Sequence, residues 1–286
     1  MEIKDRVAVV TGGASGIGRS LSLALAEHGA AAVVVSDVDA DGAAMVAAEI
    51  TGRGWQALAV AADVASEPEV QALAARAEQE FGRIDLVCSN AGIIVAGGIE
   101  VPDEAWSRIW AINVQSHVYL ARAALPGMLT REGGYLVVTA SAAGLLTQLG
   151  SAPYAVTKHA AVAFAEWLSI TYGDRGIGVS CLCPQAVSTN LAATSMREVG
   201  GLLPRTADSG SVPSAVGSSS ASRQASVDGV LTPDQVAASV LAAVAEERFL
   251  ILPHPEVANY ERRRAEDRDR WLNGMRRMHS RLSGRG

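Results

Sequence analysis

Thr11-Gly12-Gly13-Ala14-Ser15-Gly16-Ile17-Gly18 follows directly on the apolar run Val7 to Thr11 and opens a segment of helical periodicity from Ile17 to His28. A strand that runs into a glycine-rich turn and then a helix is the layout of a dinucleotide-binding βαβ unit. Gly12, Gly16 and Gly18 fall where backbone must approach a pyrophosphate, and the helix start around Ser15 and Ile17 offers N–H groups to its charge. A glycine pattern alone is a weak signal. This one is followed at the end of the next strand candidate by Asp37, near the expected distance of about 20 residues, where a carboxylate accepts hydrogen bonds from ribose hydroxyls. The competing reading of Asp37 is a loop carboxylate that starts a turn with Asp39 and Asp41.

Working outward, short apolar runs bounded by turn residues recur at Val7 to Thr11, Ala32 to Asp37, Ala57 to Ala61, Ile84 to Asn90, Tyr135 to Ser141, Val179 to Cys183 and Phe249 to Leu252. Helical periodicity lies between them, at Ile17 to His28, Asp41 to Thr51, Pro68 to Phe81, Asp103 to Leu129, Pro153 to Tyr172 and Pro233 to Glu246. Strict alternation predicts right-handed βαβ units. The expected fold is α/β, a Rossmann-type doubly wound parallel sheet of about seven strands with helices on both faces and a ligand cleft at the strands' carboxyl ends. One domain is expected over residues 1–255. An apolar fraction of 49% with only 5% aromatics suits such a core of Ala, Val, Leu and Ile.

A net charge of −6 argues against a general nucleic-acid surface. Cys88, Cys181 and Cys183 show no C-x-x-C spacing, and the five histidines show no ligand pattern, so neither a disulfide framework nor a metal is expected. With no signal-peptide pattern and no apolar run of membrane-spanning length, a cytoplasmic protein without a membrane partner is expected. The Ser-rich stretch from about Thr194 to Val230 breaks the alternation and reads as a substrate lid or a disordered segment. From Glu256 on, nine arginines face five acids, with Tyr260, Trp271, Met275 and Met278 as an apolar stripe. This tail, residues 256–286, is expected to be one amphipathic helix packed on its own fold or on a neighbouring subunit.

Tyr154-Ala155-Val156-Thr157-Lys158 then supplies the chemistry, thirteen residues after Ser141. Positions i and i+4 share a helix face, so a phenol and an ammonium meet there. The cation is expected to lower the phenol from about 10, fitting it to exchange protons at working pH. Each of these residues has a bland reading as surface or strand-end polarity. Their joint occurrence with the nucleotide turn is what disfavours it.

Taken together, these motifs resemble the short-chain dehydrogenase/reductase family over about residues 5 to 255. The resemblance implies Tyr154 as proton donor, Lys158 as the cofactor-holding lysine, Ser141 as the group that polarises the carbonyl, and Asn113, within Ile112-Asn113-Val114, as the residue that holds a relay water. It further implies that Asp63 and Val64 meet the adenine, that Asn90-Ala91-Gly92 lines the cofactor, and that Pro184, Val187 and Thr189 hold the nicotinamide end. A homotetramer joined through the Asp103 to Leu129 and Pro153 to Tyr172 helices is implied as well. Two positions depart from the pattern: Ser89 stands where an asparagine is usual, and Gln185 where glycine is usual.

The expected activity is hydride exchange between NAD and a secondary alcohol or ketone. Asp37 would repel a 2′-phosphate, and neither Ser36 nor Val38 offers it a cation. Ser141, Ala143, Gln148, Tyr154, Gln185 and Ala186 are the expected substrate contacts. Ile94, Val95 and the Ala142 to Gly150 segment complete the pocket, where Leu145, Leu146 and Leu149 favour a hydrophobic or aromatic carbinol. The alternatives are an NADPH-dependent 3-oxoacyl-thioester reductase and a catalytically silent nucleotide-binding scaffold.

Overall fold

The computed structural model describes residues 1–203, 223–224 and 226–282. Seven strands form one parallel sheet in the order β3-β2-β1-β4-β5-β6-β7. They are β1 (Val7–Thr11), β2 (Ala32–Asp37), β3 (Ala57–Ala61), β4 (Leu86–Ser89), β5 (Gly134–Thr139), β6 (Ile177–Leu182) and β7 (Leu250–Ile251). Val7 to Thr11 are buried throughout, as a strand covered on both faces must be.

On one face lie α1 (Gly16–Glu27), α2 (Ala40–Gly52) and α9 (Pro233–Ala245), which bring Leu21, Leu25, Val46, Ile50 and Val240 onto the sheet. On the other lie α3 (Glu67–Phe81), α4 (Asp103–Trp110), α5 (Ser116–Thr130) and α7 (Ala152–Tyr172), which bring Leu73, Ile109, Met128 and Leu168. The short helices α6 (Ala143–Leu146) and α8 (Leu191–Val199) stand at the strands' carboxyl ends. The ends of the predicted strands and helices shift by a few residues at most.

Two elements depart from expectation. The helix predicted from Asp103 to Leu129 is interrupted by a π turn over Ala111–Gln115, with Asn113 at its centre. The tail is two helices rather than one, α10 (Glu256–Glu266) and α11 (Arg268–Leu282). Asp267 breaks them apart: its backbone is extended, and its carboxylate accepts from the N–H of Arg270 at 2.9 Å, which makes it the cap of α11. Of the Thr194 to Val230 stretch expected as a lid, residues 204–222 and 225 lie outside the described residues. No helix among the described residues is long and apolar enough to cross a membrane.

Candidate active site

The chain leaves β1 toward β2 and β3 on one side and builds β4 to β7 on the other, so a crevice opens where the order switches. Gly12 and Gly16 turn the chain there with φ of +65° and +52°, in the left-handed region that favours glycine. A Cβ on Gly18 would overlap the carbonyl oxygen of Gly12, so the third glycine lets α1 start against the turn. Asp37, at the end of β2, accepts from the N–H groups of Ala14 and Asp39 at 3.0 Å and faces the cleft. Asn90 donates both its N–H and its side-chain amide to Thr11, at 3.0 Å each, locking the β4 exit against β1. Ser15, Ile17, Asp63, Val64, Ala91, Gly92, Pro184, Val187 and Thr189 complete a lining that includes every expected cofactor contact except Gly18, which lies beneath it.

Arg108 of α4 has no counterpart in the sequence reading. Its guanidinium bridges Asp63 at 2.9 Å and Glu198 of α8 at 2.7 Å inside the same cleft. The two carboxylates outweigh its partial burial and hold it above the ordinary arginine range. Asp63 Oδ1 also accepts from Ala65 N–H, so this carboxylate is already engaged by protein groups where an adenine contact was expected.

At the inner end of the cleft, α7 places Tyr154 and Lys158 over β5. Lys158 Nζ donates to the Thr139 carbonyl at 2.8 Å and stands 5.7 Å from the centre of the Tyr154 ring. Burial pushes Lys158 down to about 8, because its charged form loses water it does not fully replace. Burial likewise raises the Tyr154 phenol, and a hydrogen bond to Ser141 only partly offsets it. The expected lowering of the phenol by Lys158 is therefore not produced by the protein groups alone. Ser141, just beyond β5, accepts from Ala143 N–H at 3.1 Å and lines the cleft.

Asn113 does not line the cleft. Its side chain is fully engaged in pinning the β4 exit: Oδ1 accepts from Ile93 N–H at 2.9 Å, and Nδ2 donates to Ile93 O and Thr157 Oγ1. Ser89, the first departure from the family pattern, pairs with the buried His117 ring at 2.5 Å. Burial and the Lys158 charge drive that imidazole down to about 3, so it is neutral.

Ser141 and Tyr154 also line a second, larger cavity of about 1210 Å³. Ile94, Ala142, Ala143, Leu146, Gln148, Gln185 and Ala186 stand in its wall as expected. Val95, Leu145 and Leu149 do not: Val95 and Leu145 are buried in the core, so of the three pocket leucines only Leu146 faces the cavity. Gln185, the second departure, donates to Asp228 at 2.9 Å, and Asp228 accepts from Tyr260 of α10 at 2.9 Å. That relay draws the C-terminal helices over the cavity, and Tyr260, Trp271, Met275 and Met278 form its outer wall.

A family model described as short chain dehydrogenase matches residues 6–199. The chain is 42% identical over 207 residues to 1-deoxy-11-beta-hydroxypentalenate dehydrogenase of Streptomyces exfoliatus, spanning 70% of this chain and 75% of that one. It is 33% identical over 192 residues to 3beta-hydroxysteroid dehydrogenase 2 of Eggerthella lenta, spanning 66% and 74%. A crystal structure of a short-chain dehydrogenase/reductase from Burkholderia phymatum in complex with NAD superposes with a TM-score of 0.85 at 31% identity, covering 94% of this chain and 96% of that chain. The chain belongs to the short-chain dehydrogenase/reductase family, and it is an oxidoreductase of the kind whose relatives act on alcohols.

Proposed function

We propose that this protein is an NAD-dependent dehydrogenase that interconverts a hydrophobic secondary alcohol and its ketone, with Ser141, Tyr154 and Lys158 as catalytic residues. The observation that carries the reading is the position of Ser141 and Tyr154 in the wall common to the nucleotide-shaped cleft and the large, mainly apolar cavity. A carbinol held there by its oxygen stands between the two. When bound, the nicotinamide takes up the hydride from the carbinol carbon.

The chain's own groups do the rest. Tyr154 Oη receives the hydroxyl proton and Ser141 Oγ donates to the developing carbonyl oxygen. Lys158, anchored on Thr139 O, keeps a cation beside the phenol as it ionises. Asn113 holds the β4 exit in place through Ile93 and Thr157. Asp37 selects NAD: its carboxylate accepts from ribose hydroxyls and repels a 2′-phosphate, and the cleft guanidinium, Arg108, is already paired twice. The Burkholderia phymatum structure in complex with NAD supports the same choice. The relatives named for a hydroxypentalenate and a 3β-hydroxysteroid support a bulky hydroxylated substrate.

Asp37 disfavours the NADPH-dependent 3-oxoacyl-thioester reductase, and the complete Ser141, Tyr154 and Lys158 set disfavours a silent scaffold. Exposed Trp110 on α4 and Trp167 and Ile170 on α7 fit helices that pair between subunits, so the active form is read as a homotetramer. Three buried free thiols suit a reducing cytoplasmic setting. The test is to incubate the protein with NAD or NADP and a panel of secondary alcohols and follow reduced-nicotinamide absorbance. Turnover with NAD on bulky apolar carbinols is expected. No turnover with any alcohol, or a preference for NADP, overturns the reading.

A further inference from the structure

The cavity wall contributed by α10 and α11 is not only apolar. Arg263 of α10 and Arg270 and Arg277 of α11, the last two seven residues and so close to two turns apart on one helix, all line the cavity that Ser141 and Tyr154 open into. Three carboxylates share that lining, and each has other work. Asp228 accepts from Gln185 and Tyr260, Asp267 caps α11, and Glu266 faces Arg262 at 3.8 Å. Among the described residues, none of the three arginines lies within ion-pair distance of a carboxylate.

Two other tail arginines are engaged within the tail, Arg262 with Glu266 and Asn259 and Arg276 with Asn273, while Arg268 and Arg281 have no ion-pair partner among the described residues and do not line the cavity. The tail therefore brings three exposed guanidinium groups without a carboxylate partner to the same cavity as the Tyr154 phenol. Guanidinium groups match carboxylate geometry through paired N–H donors, which a neutral carbinol pocket does not require. Ile94 and Leu146 give the same cavity apolar surface.

We infer that the substrate is an amphipathic carboxylate, a hydrophobic skeleton with its carbinol at Tyr154 and an acid group at the opposite end held by Arg263, Arg270 and Arg277. The inference rests on the alcohol dehydrogenase reading of the same cleft and adds its second recognition point. It also gives α10 and α11, which lie beyond the residues the family model matches, a role in specificity.

The test measures binding rather than turnover. Wild-type enzyme loaded with NADH is titrated with 4-hydroxycyclohexanecarboxylate and with lithocholate, each against its methyl ester, by calorimetry. The acid of at least one skeleton should bind about tenfold more tightly than its ester, a ratio that several partly exposed charge pairs can supply together. In the triple variant Arg263→Gln, Arg270→Gln, Arg277→Gln the ratio should fall to about twofold or less through loss of acid affinity. A control with the same charge change on other faces of the tail, Arg262→Gln, Arg276→Gln, Arg281→Gln, should keep it.

Equal binding of acid and ester for both skeletons overturns the inference. So does a ratio that survives the first triple variant or collapses equally in the control, and so does weakening of acid and ester alike. Failure of every alcohol to reduce NAD, with the acid preference intact, would instead sink the dehydrogenase reading and leave the anion site standing.

Discussion

The ammonium of Lys158 lies 5.7 Å from the centre of the Tyr154 ring, one helical turn along α7, and its hydrogen bond goes to Thr139 rather than to a carboxylate. The cation beside the phenol is thus buried without a counter-ion.

That burial should be visible in stability. Burial moves Lys158 from 10.5 to about 8, so between these values the unfolded chain holds a proton that the native protein has released. Native stability then rises with pH across that window, and below pH 8 the full penalty applies. Lys158→Met removes the penalty and leaves only the Thr139 carbonyl unpaired, at a cost of about 1–3 kcal/mol. The variant should be inactive yet melt a few degrees above wild type at pH 7, with the gap closing as pH climbs from 8 toward 10.5. A lower melting temperature at pH 7 would contradict this account.

Removing the phenol tests the chemistry more directly. Tyr154→Phe should keep NADH affinity and lose about 10²- to 10⁴-fold in kcat. Because burial raises this phenol, titration of tyrosinate absorbance in the enzyme without cofactor should place it above the ordinary value of about 10. A positively charged oxidised nicotinamide should bring it down. A Phe variant with most of its wild-type kcat would refute the assignment.

On the proposed reading, Asp37 sets the choice of cofactor. The wild-type kcat/KM for NAD should exceed that for NADP at least tenfold, about 1.4 kcal/mol of discrimination. Asp37→Ser should narrow the ratio. It should also weaken NAD, since the carboxylate additionally holds the N–H groups of Ala14 and Asp39. Equal efficiency of the two cofactors in the wild type would exclude this role.

Asp228 joins the reacting end to the tail. Asp228→Asn replaces an acceptor for both Gln185 and Tyr260 with a group that can accept through only one of its two ends. KM for the alcohol should rise about fivefold or more, while NAD affinity stays within twofold of wild type. An unchanged KM would show that the C-terminal helices do not shape the cavity.

Much of this architecture was legible because it is local. Strand and helix periods, the glycine turn and the i, i+4 placement of Tyr154 and Lys158 each depend on near neighbours along the chain, and β1 to β3 fall on the predicted residues. Long-range pairings leave no such trace. Arg108 reads as one more charge on an amphipathic helix until folding sets it between Asp63 and Glu198, and Asp228 gains meaning only from Gln185 and Tyr260. The break in the tail was readable in principle. Asp267 has the residue type of a helix cap and precedes Trp271, but the surrounding charge made the segment look continuous. The pocket leucines were misread because Leu145 turns into the core while Leu146, its neighbour, faces the cavity.

The order of strands also constrains how the protein is made. The first three strands, with α1 and α2, are complete in sequence by Ala61, but the outer edge of β6 at Cys181 and Leu182 waits for Leu250 and Ile251. A chain released from the ribosome before that point would leave Cys181 and Leu182, at the buried end of β6, as an open apolar edge, the kind of surface that recruits other chains. Truncations on either side of Leu250–Ile251 should therefore divide sharply at β7, as soluble yield on expression would show. Upstream of it the product should aggregate; downstream of it the sheet should stay closed, with only α10 and α11 lost.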